Sequence, residues 1–187
     1  GNKDLNIFGG CYNITDLTTF LDLYYEHVFV NENDEYLTEK QLIEDGPLLI
    51  DIDLRYDNSV KVRQHTKEHI IDLIILYANK LNEIYSIPDE SNITIYVLEK
   101  PNINITNDKV KDGIHLIFNI KMHKAEQVIL RNLIIKDIAN MWDNIPIINA
   151  FDEVFDEGVT KGFVNWQLYG SKKPENDAYK LSYLFNI

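Results

Sequence analysis

Two aspartates one residue apart, Asp51 and Asp53, interrupt a run of apolar residues that is typical of a buried β-strand. Side chains alternate between the two faces of a strand, so both carboxylates point the same way and lie about 6.5 Å apart along it. Unpaired charge in apolar surroundings is costly, and a divalent cation or a pair of cations between the acids would relieve that cost. The pair therefore predicts a metal-dependent phosphoryl-transfer site. The structural alternative is a strand end at which both acids simply face water.

Three further polar features lie at the ends of apolar segments. His115 enters an apolar strand two residues after Gly113, and Asp156 follows an apolar pair. A single histidine in a strand is more often a hydrogen-bonded structural residue than a ligand or a phosphate contact. The Gly-Ser-Lys-Lys segment 170–173 follows another short apolar run. Such a turn can present N–H, hydroxyl and ammonium groups to phosphates, although the same sequence also suits an ordinary solvated hairpin end.

The elements that must position these groups follow from periodicity and from turn residues. Helical spacing predicts helices over 17–28, 64–85 and 124–140, and the Thr38 to Gln41 capping box predicts a short helix that ends at Gly46. Strands are predicted over 48–54, 92–98, 114–120, 165–169 and 179–185, with a polar loop over 99–112 and no clear preference over 147–156. Helices and strands interleave without a regular βαβ rhythm or a glycine-rich phosphate loop. The sequence therefore predicts an α+β fold rather than a doubly wound nucleotide-binding fold.

Length and composition limit the range of functions. A chain of 187 residues with 45% hydrophobic residues suffices for one sizeable core, which predicts a single catalytic-domain-sized unit, 1–187. No apolar run resembles a signal peptide or a membrane span, and Cys11 is the only cysteine, which suits a reducing compartment. The net charge of −12 argues against a protein that binds nucleic acid with its whole surface, but it leaves room for a local basic groove.

Taken in order, these features resemble the archaeo-eukaryotic primase superfamily, specifically the primase-polymerase domain of the helicase-primases of large nucleocytoplasmic DNA viruses. The pattern of that family is an Asp-x-Asp strand, a small residue-x-His strand, an apolar residue followed by Asp, and a strand that ends in a Gly-Ser-basic turn. The matching segments here are Asp51-Ile52-Asp53, Gly113-Ile114-His115, Phe155-Asp156 and Tyr169-Gly170-Ser171-Lys172-Lys173. Similar flanking segments are Leu37–Gln41, Asp53–Tyr56 and Leu98–Asn102. The resemblance covers residues 35 to 185.

The resemblance implies roles for individual residues. Asp51, Asp53 and Asp156 would be the catalytic acids that hold two Mg²⁺ or Mn²⁺ ions, with Asp152 as a rival for the third position. The implied nucleotide-binding residues are His115, Asn165, Ser171, Lys172 and Lys173, with His115 on the triphosphate of the incoming nucleotide. Relatives often have arginine on the strand before Gly-Ser, where this chain has Gln167, and Val164 is also uncharged. We therefore expect weak nucleotide affinity.

The same resemblance implies a fold, an activity and partners. The expected α+β core combines a sheet unit that resembles an RNA-recognition fold with a smaller α/β unit, with helices flanking mixed sheets. The expected activity is that of a DNA primase or polymerase, which adds nucleotides to a 3′-hydroxyl on a single-stranded DNA template by two-metal phosphoryl transfer. The partners would be nucleoside triphosphates, template and primer, and a helicase domain in a longer chain, without a membrane. Gly1 is interpreted as a cleavage scar of an excised N-terminal domain. The expected location is the infected host cell, in a cytoplasmic replication compartment and not secreted.

Two other functions remain open. His65, Glu68 and His69 match the His-x-x-Glu-His pattern of a zinc peptidase group, although a five-residue motif recurs by chance and this one lies where a polar first helical turn is expected. A degenerate primase-like module that binds nucleotides or partners without catalysis is the second alternative. The acidic net charge and Gln167 favour it, whereas the presence of all three acids and of His115 argues against it.

Overall fold

The computed structural model describes residues 9–85 and 92–187. The chain divides into two compact units, Gly1–Glu35 and Tyr36–Ile187. In the first, α1 (Leu17–Tyr25) begins at Asp16, whose carboxylate accepts the backbone N–H of Thr19 at 3.1 Å, and continues as a π-helical turn, Glu26–Val30. The predicted first helix is therefore confirmed. Gly1, interpreted as a cleavage scar, lies outside the described residues.

The second unit is built on antiparallel strands. Its strands are β1 (Thr38–Glu39), β2 (Gly46–Tyr56), β3 (Thr94–Glu99), β4 (Asn104–Ile105), β5 (Val110–Met122), β6 (Trp166–Gln167) and β7 (Lys180–Asn186). The five-stranded sheet has the order β2-β5-β3-β7, with β4 paired to the beginning of β5, and a separate two-stranded sheet joins β1 to β6. Every pairing among these strands is antiparallel.

Two long helices cover one face of the five-stranded sheet. They are α2 (Lys67–Ile84) and α3 (Lys124–Met141), and two short helices follow, α4 (Phe151–Val154) and α5 (Glu157–Lys161). Alternate residues of β2, including Ile50, Ile52 and Leu54, are buried with apolar side chains of α2 and α3 in one core. Because strand side chains alternate, Asp51 and Asp53 lie on the opposite face, away from these helices. The core thus fixes which face holds the two acids.

The α+β class is confirmed, and three details differ from expectation. The sheets are antiparallel throughout the described residues rather than mixed. The helix predicted near Thr38 is wrong, because Thr38 pairs with Gln167 in a strand and the side chain of Gln41 donates to the carbonyl of Val164 at 2.6 Å. The unassigned segment before Asp156 contains α4. None of the helices in residues 9–85 and 92–187 is long and apolar enough to cross a membrane.

Candidate metal and nucleotide site

The pairing of β2 with β5 brings the predicted motifs together. In this register Asp51 lies opposite His115, and Asp53 lies opposite Gly113. The two motifs are more than 60 residues apart in the chain, so their contact depends entirely on the antiparallel pairing. His115 Nε2 lies 3.3 Å from Asp51 Oδ1. The Asp-x-Asp and Gly-x-His segments therefore form one surface on the open face of the sheet.

Asp156 is fixed beside β2 by its backbone. Its N–H donates to the carbonyl of Asp51 at 3.0 Å, and the preceding Phe155 forms an antiparallel bridge with Ile52. The buried guanidinium of Arg131 donates to the carbonyl of Phe155 from two nitrogens, at 2.9 and 2.7 Å. The side chain of Asp156 caps α5 by accepting the N–H of Val159 at 2.7 Å. These contacts direct the third carboxylate towards the Asp51 and Asp53 pair.

Asp51, Asp53 and Asp156 form a cluster suited to a cation. Each offers a carboxylate oxygen, and these oxygens lie within 4.8 Å of one another. Burial of the carboxyl, followed by the negative charge of Asp51, raises the pKa of Asp53, and Asp156 adds to this effect. Lys173 and His115 act in the opposite direction. Carboxylate oxygens are the ligands that Mg²⁺ and Mn²⁺ prefer. A bound cation would also relieve the repulsion that raises the pKa of Asp53.

His115 is held between two aromatic rings. The Tyr179 ring stacks on the imidazole with centroids 3.6 Å apart at 18°, and the Trp166 ring lies 4.4 Å away at 39°. Only 7% of His115 is exposed. Burial and then the negative charges of Asp51 and Asp53 raise the pKa of Tyr179, which disfavours the phenolate beside these acids. The histidine is therefore oriented before any ligand binds.

The predicted Gly-Ser turn lies next to this histidine. Gly170 has a φ of +87°, a left-handed conformation that glycine adopts without strain and that lets the chain turn after β6. Ser171 is 1% exposed, and its hydroxyl oxygen accepts the backbone N–H of Leu37 at 3.1 Å. A cavity of about 110 Å³ is lined by Glu39, Leu98, His115, Tyr179 and residues 166–171. The turn and the histidine thus share one small cavity.

The remaining predicted nucleotide-binding residues differ in exposure and in their contacts. Lys173 is exposed, and its charge acts on the carboxyl of Asp53. Lys172 precedes it and is half-buried. Asn165 is exposed, donates its side-chain N–H to the Thr38 hydroxyl at 3.2 Å and is not among the residues that line the cavity. Lys173 is therefore within electrostatic range of Asp53, whereas Asn165 bonds to Thr38 of β1.

Comparison with known proteins assigns the family. Residues 2–185 match the family described as "C962R protein N-terminal AEP domain", in which AEP denotes archaeo-eukaryotic primase. The chain belongs to this primase family. It is also 33% identical over 182 residues to a protein of Acanthamoeba polyphaga mimivirus named "Putative helicase L207/L206". The match covers 94% of this chain and 18% of that protein, so the chain spans about a fifth of the relative's length. The resemblance to the primase superfamily is confirmed.

Within this primase domain the geometry separates the rival candidates for the third acid. Asp156, and not Asp152, is grouped with Asp51 and Asp53 among the described residues. Asp152 is exposed in α4 and contributes its backbone carbonyl, which accepts Arg131 at 2.5 Å. The preference for Asp156 thus has a structural basis, because its backbone hydrogen bond to β2 brings its side chain to the pair.

The zinc-peptidase pattern is not assembled as a metal site in the primase domain. His65 lies before α2 begins, is buried and bonds to Glu99 Oε1 at 2.7 Å. His69 accepts the N–H of Thr66 at 3.0 Å within the first turn of the helix. Glu68 is exposed, and none of these residues belongs to the metal-type cluster found among the described residues. The histidines therefore stabilise the beginning of α2 and a buried ionic network.

Sequence reasoning missed several residues that build the primase site. The sequence predicts Trp166 and Tyr179 only as strand residues, although their rings enclose His115. Arg131 was one polar residue of a predicted helix, yet it fixes the backbone before Asp156. Gly113 gave a usable signal: a side chain there would collide with the hydroxyl of Tyr179, so a small residue before the histidine implies a close neighbour.

Proposed function

We propose that this primase domain is a metal-dependent nucleotidyltransferase that adds nucleotides to a 3′-hydroxyl on a single-stranded DNA template. The observation that carries the proposal is the convergence of Asp51, Asp53 and Asp156 to within 4.8 Å beside an oriented His115. Three converging carboxylates repel one another unless they bind something positive. Membership in the primase family supplies the reaction class.

The three acids would hold the metal, for which Mg²⁺ and Mn²⁺ are the candidates and two ions the expected number. When bound, such ions activate the attacking hydroxyl and neutralise charge that develops on the α-phosphate and the leaving pyrophosphate. Asp53 would gain most from a bound cation, because burial and the charges of Asp51 and Asp156 raise the pKa of its carboxyl. Its proton and the cation compete for the same oxygens, so metal affinity should fall at low pH.

The remaining side chains would bind and orient the nucleotide. His115 is held by two rings and presents its imidazole beside Asp51, a position suited to hydrogen bonding with a phosphate oxygen. Ser171, Lys172 and Lys173 would bind the triphosphate from the turn, and Asn165, which bonds to the Thr38 hydroxyl, would line the site. His115→Ala should therefore chiefly raise the apparent KM for nucleotide.

The longer relative suggests how the domain is used. The mimivirus protein is named a helicase, and this chain matches 18% of its length. We propose that the primase domain works next to a helicase domain in a viral replication protein, within the infected cell. Template binding by further regions of such a protein would reconcile the net charge of −12 with a role on DNA.

A non-catalytic nucleotide-binding module is the second candidate. Gln167 favours it, because this residue replaces the arginine of relatives and its amide donates to the Leu37 carbonyl at 2.9 Å. Such a module would bind nucleotide without incorporating it.

One experiment separates these functions. The chain is incubated with a primed and an unprimed single-stranded DNA template, with NTPs and dNTPs compared under Mg²⁺ and under Mn²⁺. We expect incorporation that EDTA abolishes and that is lost in the Asp51→Asn, Asp53→Asn double variant. Asp143→Asn is the matched control and should retain activity, because Asp143 is an exposed acid outside the cluster of Asp51, Asp53 and Asp156. Nucleotide binding without incorporation under every condition would support the non-catalytic module instead.

A further inference from the structure

Lys100 follows β3 and has the contacts of a cation without an anionic partner. Its side chain is half-buried, and Nζ donates to the side-chain oxygen of Asn176 at 3.2 Å. The same Nζ lies 5.2 Å from the centroid of the Tyr179 ring. Among the described residues no carboxylate lies within 4.0 Å of it. The amide oxygen of Asn176 and an aromatic face thus contact a charge that water only partly solvates.

The position of Lys100 links it to the proposed site. Tyr179, whose ring lies under the ammonium group, is the residue that stacks on His115. Burial and then the charge of Lys173 lower the pKa of Lys100, whereas Asp53 and Asp51 raise it. The ammonium group is therefore within electrostatic range of both the acid pair and the lysine of the Gly-Ser turn. A polyphosphate that binds beside the acids would bring further negative charge to both lysines, which would favour its binding.

The backbone of Lys100 is held firmly. Its carbonyl accepts Nη2 of Arg63 at 2.6 Å. Arg63 also donates to both carboxylate oxygens of Asp112, at 2.9 and 3.0 Å, and Asp112 accepts the N–H of Gly113 at 3.0 Å. This buried network ties Lys100 to the segment of β5 that lies opposite Asp53. A lysine on a flexible surface loop would have no such anchor.

We infer that Lys100 is a nucleotide-binding residue whose ammonium group contacts the phosphate chain of the incoming nucleoside triphosphate, opposite Lys173. This inference rests on the proposed function and adds a residue to it. A polyphosphate supplies several anionic oxygens in a row, so it can reach both lysines and the metal-binding acids together. A template phosphate is the competing anion, and its single charge cannot join these groups in the same way.

Equilibrium binding tests this directly. Binding of a nucleoside triphosphate, of inorganic tripolyphosphate and of the corresponding unphosphorylated nucleoside is measured by calorimetry with Mn²⁺ present, for the wild type and for Lys100→Met. A lost ammonium–phosphate contact should raise the Kd of both polyphosphates about 10- to 100-fold and leave nucleoside binding unchanged. Lys100→Arg keeps the charge and should restore most of the affinity. Lys121→Met is the control, because Lys121 is exposed at the opposite end of β5 and pairs with Asp45.

The outcomes separate this inference from the proposed function. If the wild type binds the triphosphate and Lys100→Met binds it equally well, Lys100 is not a phosphate contact and the proposed function stands. If the variant loses affinity for single-stranded DNA and not for tripolyphosphate, the ammonium group contacts the template and the inference is overturned. If the wild type itself binds no nucleotide, the proposed function fails and this inference fails with it. Equal thermal unfolding midpoints of wild type and variants show that each comparison is made between folded proteins.

Discussion

Gly113→Ala should destabilise the protein, although the same change in most strands would stabilise it. Replacing glycine by alanine at a compatible backbone position stabilises a protein by about 0.4–1 kcal/mol through the unfolded chain. A methyl group at position 113 would instead overlap the hydroxyl oxygen of Tyr179, while its distance of 3.5 Å to the Ile52 carbonyl is ordinary contact. Tyr179 would have to move, and it is stacked at 3.6 Å on His115. The substitution thus tests whether Gly113, the Tyr179 side chain and His115 are closely packed against one another.

The expected magnitude follows from overpacking in a closely packed region, which costs about 1–3 kcal/mol. Removing the hydroxyl with Tyr179→Phe leaves the ring in place and removes the atom that the new methyl group would strike. In a double-mutant cycle measured by urea unfolding, we expect a favourable coupling of about 1–2 kcal/mol between the two changes. Gly113→Ala alone should also raise the KM for nucleotide, because His115 loses its support.

A control cycle uses Tyr183→Phe, which removes the hydroxyl of a tyrosine within β7. Gly113→Ala and Tyr183→Phe should be additive. The account of Gly113 is refuted if Gly113→Ala is neutral or stabilising, or if its effect is the same with and without the hydroxyl of Tyr179.

Three further predictions concern residues around the site. Arg131→Met removes the donors to the Phe155 carbonyl and should lower the free energy of unfolding by about 2–4 kcal/mol, and lower kcat, because Asp156 loses its backbone support. Burial lowers the pKa of Lys124 to about 8, from about 10.4 in the unfolded chain, so the unfolded state binds more protons between these pH values and stability rises with pH there. Lys124→Met should therefore increase the free energy of unfolding at pH 7 by about 1–3 kcal/mol. The variant should also lose the increase of stability between about pH 8 and about pH 10.4. His115→Ala should raise the apparent KM for nucleotide about tenfold or more, with a smaller change in kcat.

Each of these three has its own control. Lys136→Met changes an exposed position of α3 outside the core and should change the free energy of unfolding by no more than about 0.5 kcal/mol. If Arg131→Met changes the free energy of unfolding as little as Lys136→Met does, Arg131 does not anchor the backbone before Asp156. Urea unfolding of wild type and Lys124→Met at pH 7 and pH 9.5 isolates the lysine, and parallel pH profiles would contradict its burial as a cation. Unchanged nucleotide binding in His115→Ala would exclude the imidazole as a phosphate contact.

Local sequence patterns predict part of the site correctly. The two-residue period of a strand places Asp51 and Asp53 on one face, and the structure has them on the face away from α2 and α3. The same rules failed at Thr38, where a capping box favoured a helix. The residue pairs instead with Gln167, which is 129 positions away, and local propensity contains no information about such a partner.

The rest of the site depends on contacts between distant segments. Nothing in the pattern around Tyr179 indicates that its ring stacks on His115, because the contact arises from β7 and β5 both pairing with β3. Lys100 was part of a segment that resembled the viral family, but its relation to the acids depends on the Arg63 anchor. Such residues are found only when the register of the strands is known.

The central claim is that Asp51, Asp53 and Asp156 form a metal-dependent nucleotidyl-transfer centre. The most direct measurement is Mn²⁺-dependent single-nucleotide incorporation on a primed template by Asp156→Asn, with Asp152→Asn as the matched control four residues earlier. We expect Asp156→Asn to lose at least about 100-fold in kcat, since a metal ligand is removed, while Asp152→Asn stays close to the wild type. Equal activity of the two variants, or a loss confined to Asp152→Asn, would contradict it.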